Sequence, residues 1–120
     1  MKLHFTNHEA VDIAYEALEK ATIAYVDAQV NLFGAQSALD ASEKNYIALD
    51  KVKGNNAEQR KANLYTQLSH HHGRVYAAQK GLLKAQLDYD LAKLQIAKIK
   101  LHLQLQGQMI EVENMLSHVS

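Results

Sequence analysis

Histidines are the side chains of this chain best suited to bind a metal, because imidazole nitrogen is a common zinc ligand. Of the seven histidines in the 120 residues, three are consecutive, His70-His71-His72. Adjacent helical residues point about 100° apart, so this run cannot converge on one ion. His4, His8 and His102 are better candidates because they would meet at one end of a folded helix pair. Surface histidines often meet by chance, so we expect no bound metal and no cofactor.

A basic segment offers a second kind of chemistry, the binding of nucleic acid phosphates. Such binding weakens as salt rises. Glu43, Asp50 and Glu58 are interleaved with the basic residues, and the formal net charge of the chain is zero with histidine neutral. A solvated surface of mixed charge is therefore favoured, and nucleic acid binding is the alternative. The basic residues are Lys51, Lys53, Arg60 and Lys61.

Signatures of catalysis are missing from the sequence. It contains no cysteine, no glycine-rich phosphate loop and no nucleophile patterned with a base. We therefore predict no catalytic residues and a protein that is not an enzyme.

The elements that position these residues are helices. The chain has no proline and five glycines, so little interrupts a helix. Thr6 and Glu9 form a capping-box pattern, which predicts a first helix over about 7–53. Gly54 suits the left-handed position just after a helix end, and residues 54–56 form the turn. Asn56, with Gln59 at the reciprocal position, predicts a second helix over about 57–116.

Both helices carry an apolar stripe at alternating steps of three and four residues, as in a coiled coil. Small residues recur on the stripe, so a partner helix can approach closely. Pairing Ala14 with Ile96 and Ala28 with Leu82 sets a small side chain against a large one throughout. We therefore predict an all-α, single-domain antiparallel two-helix hairpin over 1–120, an Ala-rich coiled coil. The two stripes are called here the inner seams. The inner seam of the first helix is Val11, Ala14, Leu18, Ala21, Tyr25, Ala28, Leu32, Ala35, Leu39, Ser42, Tyr46 and Leu49. The inner seam of the second helix is Leu64, Leu68, His71, Val75, Ala78, Leu82, Ala85, Tyr89, Ala92, Ile96, Ile99 and Leu103.

In this register two histidines acquire partners. His71 lies on the inner seam opposite Leu39, where a polar residue would fix the register or make the stability of the protein depend on pH. His70 falls opposite Asp40, which predicts an ordinary ion pair below neutral pH.

A second apolar stripe lies nearly opposite the inner seam of the second helix, and one hairpin cannot cover both faces. Exposed stripes of this kind mark interfaces, so we predict that hairpins assemble into a four-helix dimer or a larger bundle. The predicted interaction residues are Leu83, Leu87, Leu91, Leu94, Leu101 and Leu105 on the second helix, and Val26, Val30 and Phe33 on the first.

The turn segment 54–62 has the form G-x-N-x-x-x-R-x-A, carried by Gly54, Asn56, Arg60 and Ala62. This segment resembles the turn of small helical-hairpin proteins encoded by bacteriophages and prophages, whose function is often undetermined. The resemblance covers nine residues and the two-helix layout, and it implies an origin in a phage or mobile element.

Three functions remain open. The favoured one is a non-enzymatic interaction protein that oligomerises and binds, inhibits or scaffolds another protein, for example a phage accessory factor that inhibits a host defence system. The alternatives are a DNA- or RNA-binding accessory factor that uses the basic turn, and a purely structural coiled-coil bundle. The sequence shows neither a signal peptide nor a run apolar enough for a membrane span. We therefore expect a cytoplasmic protein, in the host cell if phage-encoded, without a membrane partner.

Overall fold

The computed structural model describes residues 8–119, with side chains up to residue 117, and all regular secondary structure in this part of the chain is α-helical. Helix α1 is His8–Ala48, α2 is Ala57–Gln67 and α3 is Ser69–Val119. The predicted all-α class is therefore confirmed. The chain divides into two compact units. Of the described residues, the first unit contains 8–23 and 87–119, and the second is Ala24–Gln86.

The core of the first unit is a small apolar cluster. Ala14 of α1 and Ile96 and Ile99 of α3 are each 6% exposed, and Val11 and Leu18 pack against them. Ala14 and Ile96 form one of the pairs that the small-against-large pattern predicts. The small side chain of Ala14 leaves room for the two isoleucines, and Val11 and Leu18 of α1 complete the cluster.

The second unit is also held together by small residues. Ala35 of α1 and Ala78 and Ala85 of α3 are buried, and Leu68 is the most completely buried large side chain among the described residues. All four lie on the predicted inner seams.

Burial follows the inner seams along both sequences. Every seam residue from Val11 to Tyr46, and every one from Leu64 to Ile99, is buried or partly buried. Leu49 and Leu103 are exposed instead. Leu49 lies past the end of α1, and Leu103 would face residue 7, which lies outside the described residues. Thr6 and Asn7, which were expected to start the first helix, also lie outside them.

Helix α1 ends at Ala48, so the prediction that it continues to Lys53 is wrong. The Asp50 N–H donates to the Ile47 carbonyl at 3.1 Å, and the Lys51 N–H donates to the Tyr46 carbonyl at 3.0 Å. These two bonds define a Schellman motif with Asp50 at the left-handed position, where its φ is 52°. An aspartate tolerates this conformation better than most residues, which is why the helix ends before the glycine.

The beginning of α2 is capped as predicted. The Asn56 side chain accepts a hydrogen bond from the Gln59 N–H at 2.8 Å. The Gln59 side-chain oxygen accepts from the Asn55 N–H at 2.9 Å, one residue before the partner of a standard capping box. Gly54 adopts φ 148°, and a Cβ there would lie 2.7 Å from the Arg60 backbone nitrogen. The turn therefore requires glycine at this position, although it does not end α1.

Side-chain amides of α2 hold the connection before it. Asn63 donates to the Lys53 carbonyl at 2.6 Å, and Gln67 donates to the Lys51 carbonyl at 3.3 Å. Two backbone oxygens that lie outside any helix are thereby satisfied.

The predicted continuous helix over 57–116 is also wrong, because it is interrupted at Leu68, between α2 and α3. Leu68 has φ −99° and ψ 16°, outside the helical range. The Thr66 hydroxyl donates to the Ala62 carbonyl at 3.1 Å just before the interruption. The Leu68 N–H still donates to the Leu64 carbonyl, and the His72 N–H donates to the Leu68 carbonyl, both at 3.0 Å. The interruption is therefore a local bend rather than a second turn.

Candidate interaction surface

In the first unit, five predicted interaction residues of α3 are exposed. Their side chains are 47–65% exposed, whereas Ile96 and Ile99 of the same helix are 6% exposed. A helix whose opposite sides are both apolar leaves one of them in contact with water unless a second surface covers it. The five residues are Leu87, Leu91, Leu94, Leu101 and Leu105.

This apolar face continues further than the sequence analysis placed it. Val112 and Met115 are also exposed, and they extend the alternation of three- and four-residue steps past Leu105. The spacing of Val112 and Met115 already indicated this continuation in the sequence, but the polar Gln108 interrupts the run of apolar residues. The complete stripe, called here the outer seam, is Leu87, Leu91, Leu94, Lys98, Leu101, Leu105, Gln108, Val112 and Met115.

Charged side chains lie beside the outer seam in the same unit. Lys93 Nζ is 3.6 Å from Asp90 Oδ1, and half of each side chain is exposed. The same ammonium lies 4.5 Å from the centre of the Tyr89 ring. Exposed ion pairs of this kind contribute at most about 1 kcal/mol, so Lys93 can change partners at little cost.

The second unit exposes the other predicted interaction residues. On α1, Val26, Val30 and Phe33 are exposed, and Phe33 reaches 71%. On α3, Leu83 is 67% exposed, and Tyr76 is exposed beside Lys80, whose Nζ lies 5.5 Å from the ring centre. Unlike the inner-seam residues of this unit, these side chains contribute nothing to its core.

The three consecutive histidines of the second unit point to different partners. The His72 ring stacks on the Tyr65 ring with centroids 4.2 Å apart. The His71 Nε2 is 3.0 Å from the Ser42 hydroxyl oxygen, so its contact lies one helical turn from Leu39, the residue that was predicted to face it. His70 meets only the edge of the His71 ring. The predicted ion pair of His70 with Asp40 is wrong, because the ion pairs found among the described residues are Lys20–Glu16 and Lys93–Asp90.

Metal ligands are not gathered anywhere in residues 8–119, where no group of three histidine, cysteine or acidic side chains is arranged to hold an ion. His8 and His102 belong to this part of the chain, whereas the candidate His4 lies outside the described residues. His102 instead lines a small surface pocket with Leu105, Gln106 and Met109.

The basic turn surrounds an open pocket of about 370 Å³ in the second unit. Arg60 and Lys61 line it together with Asp50 and apolar side chains, Ile47 and Leu64 among them. Lys51 and Lys53 are exposed in the connection before α2. Asp50 in the pocket lining fits the expected mixed-charge surface better than a phosphate site, because a carboxylate repels a phosphate.

Helices long and apolar enough to span a membrane do not occur within the described part of the chain. Comparison with protein-family models, curated proteins and solved structures gives no match for this chain.

Proposed function

We propose that the protein is a non-enzymatic helical interaction protein that associates with itself and binds another protein through its exposed apolar side chains. The observation that carries this proposal is the contrast on α3. Inner-seam residues such as Ile96 and Ile99 are 6% exposed, and Leu94, two residues before Ile96 on the same helix, is 65% exposed. Apolar side chains that a chain cannot bury alone are removed from water by association.

The architecture that we propose for the assembling unit is the antiparallel hairpin, paired into a four-helix dimer or a larger bundle. Two contacts support it. Ala14 clusters with Ile96 in the first unit, and Ser42 contacts His71 in the second. Ala14 lies near the start of α1 and its partner Ile96 lies far along α3, whereas Ser42 lies near the end of α1 and its partner His71 lies near the start of α3. Antiparallel packing requires this order of contacts.

A phage accessory role, such as inhibition of a host defence system, is a further part of the proposal that rests on the resemblance of the turn alone. Asn56 caps α2 in that segment. Good turn chemistry of this kind is compatible with many proteins, so a test of this part requires a partner.

Sedimentation equilibrium over a range of protein concentrations tests self-association. We expect the wild type to be larger than one chain of 13.5 kDa. Leu94→Glu is expected to shift the equilibrium to the monomer because it places a charge within the apolar stripe. Ala17→Glu adds the same side chain at an exposed position of α1 and is the matched control. A monomeric wild type at every concentration would contradict the proposal.

Affinity capture with and without nuclease tests the second half of the proposal. A protein retained after nuclease treatment and lost with Leu94→Glu supports protein binding that depends on this surface, either directly or through self-association. Material that disappears on nuclease treatment, and that depends on Lys51, Lys53 and Arg60, would favour the nucleic acid alternative. Recovery of the bait alone would favour the structural bundle.

A further inference from the structure

The outer seam of α3 contains two polar members among apolar ones. Lys98 and Gln108 occupy seam positions, whereas the remaining members are leucine, valine or methionine. Polar residues at single seam positions of a coiled coil select the orientation and register of the helices, because a polar side chain opposite an apolar one is left without a partner. The positions of Lys98 and Gln108 therefore indicate which surface can cover the outer seam, and in which orientation.

We propose that the outer seam is covered by the outer seam of a second copy of this chain, antiparallel and in the register that sets Lys98 opposite Gln108 of the second copy. This inference rests on the proposed self-association and specifies its geometry. In this register Leu101 faces Leu105, Leu94 faces Val112 and Leu91 faces Met115. A two-fold axis repeats each contact, so one surface is complementary to itself.

Other antiparallel registers fit less well. A shift by one heptad in one direction sets Lys98 against Leu101 and Gln108 against Leu91. A shift in the other direction sets Lys98 against Met115 and Gln108 against Leu105. Both leave polar groups facing apolar side chains, which costs free energy.

The charges on and beside the outer seam also favour the antiparallel arrangement. Residues 89–100, which this register lays over 106–117, contain three lysines and one aspartate, Asp90, whereas residues 106–117 contain two glutamates and no lysine or arginine. Antiparallel pairing lays the basic half of one helix over the acidic half of the other. Parallel pairing would set like charges together, which is destabilising. The charged residues are Lys93, Lys98, Lys100, Glu111 and Glu113.

The neighbouring apolar residues do not offer an equally self-complementary surface. Leu83 and Tyr76 lie in the second unit beside Lys80 and Lys84, with no acidic residue between 75 and 87. A second copy laid antiparallel on that segment would meet the same basic surface. The complementarity is therefore specific to α3 from Leu87 onward.

Disulfide trapping tests the register directly, because the chain has no cysteine of its own. Two single variants, Lys98→Cys and Gln108→Cys, are oxidised separately and as a mixture. Antiparallel pairing predicts a crosslinked dimer only in the mixture, since each residue lies about 15 Å from its own equivalent, ten residues of helix rise. A disulfide requires Cα atoms within about 7 Å. Crosslinking of each variant alone would establish parallel pairing and overturn the inference.

Charge reversal provides a second measurement that does not depend on oxidation. We expect Glu111→Lys/Glu113→Lys to raise the dissociation constant for self-association at least about tenfold, and Lys93→Glu/Lys98→Glu/Lys100→Glu to restore it when the two variants are mixed. Glu16→Lys/Glu19→Lys makes the same change of charge on exposed positions of α1 and is the control. Circular dichroism at low concentration checks that each variant is helical.

The outcomes separate this inference from the proposed function. A wild type that associates, with no crosslink in the cysteine mixture and no effect of charge reversal, would overturn the inference and leave self-association in place. A wild type that stays monomeric would overturn both.

Discussion

The imidazole of His71 is 3.0 Å from the Ser42 hydroxyl, and this contact joins α3 to α1 within the inner seam of the second unit. The other ring nitrogen, Nδ1, is buried and has no hydrogen-bond partner among the described residues. A buried polar atom without a partner costs about 1–3 kcal/mol. The seam therefore contains one polar contact that is half satisfied.

Replacing both Ser42 and His71 by apolar residues is expected to give a more stable protein than removing the serine hydroxyl alone. Ser42→Ala alone leaves the imidazole with no partner and should lower the free energy of unfolding by about 0.5–1.5 kcal/mol. Ser42→Ala/His71→Leu removes both polar groups and should raise it above the wild-type value. Urea unfolding at one fixed protein concentration measures the difference. A double variant less stable than Ser42→Ala would show that the histidine stabilises the seam.

The left-handed residue that ends α1 gives a second prediction. Asp50→Gly should stabilise the protein by about 1 kcal/mol, because glycine adopts φ 52° without the steric cost of a Cβ. Asp50→Ala keeps that cost and is the control. Gly54→Ala should destabilise the protein, since its Cβ would meet the Arg60 backbone. A lower midpoint of thermal unfolding for Asp50→Gly than for Asp50→Ala would contradict the assignment of Asp50 to the left-handed cap position.

Close packing of the first unit predicts that a larger residue at Ala14 is not tolerated. Ala14→Leu should cost about 1–3 kcal/mol by overpacking against Ile96 and Ile99. Ala17→Leu makes the same substitution at an exposed position one turn away, and it should change stability by less than about 0.5 kcal/mol. Equal midpoints of denaturation for the two variants would argue against the cluster.

The bend between α2 and α3 is stabilised by a leucine that is 1% exposed. Leu68→Ala should therefore lower the free energy of unfolding by about 2–5 kcal/mol. Leu49→Ala, a deletion of the same atoms at an exposed site in the same unit, serves for comparison. If the two variants unfolded at the same urea concentration, the bend would not depend on Leu68.

Periodicity predicted the buried positions of this fold well, because a three-four repeat fixes which side of a helix is covered whatever covers it. The cap at Asn56 was predictable for a similar reason, since it depends on two residues within one turn. The end of α1 and the bend at Leu68 were not predicted. Gly54 is the stronger sequence signal for a helix end, but Asp50 takes the left-handed position first. The interruption at Leu68 follows a segment, 62–68, that contains neither proline nor glycine, so no helix-breaking residue marks it in the sequence.

The outer seam was only partly predicted from sequence. Its leucines were recognised by spacing, but Gln108 obscured the continuation to Val112 and Met115. The structure shows which side of α3 is buried and which is exposed. On the exposed side, the positions of Lys98 and Gln108 then indicate how a second helix would be oriented. The contact between Ser42 and His71 was also missed, because the predicted pairing placed Leu39 opposite the histidine.

The connection between α1 and α2 is the natural place for a protease to cut, and its two lysines are sites for trypsin. The carbonyls of the bonds that would be cleaved, at Lys51 and Lys53, already accept hydrogen bonds from Gln67 and Asn63. A protease must take these oxygens into its own active site, so α2 has to release them first. The rate at which trypsin digests this exposed segment therefore depends on how often the hydrogen bonds from α2 open.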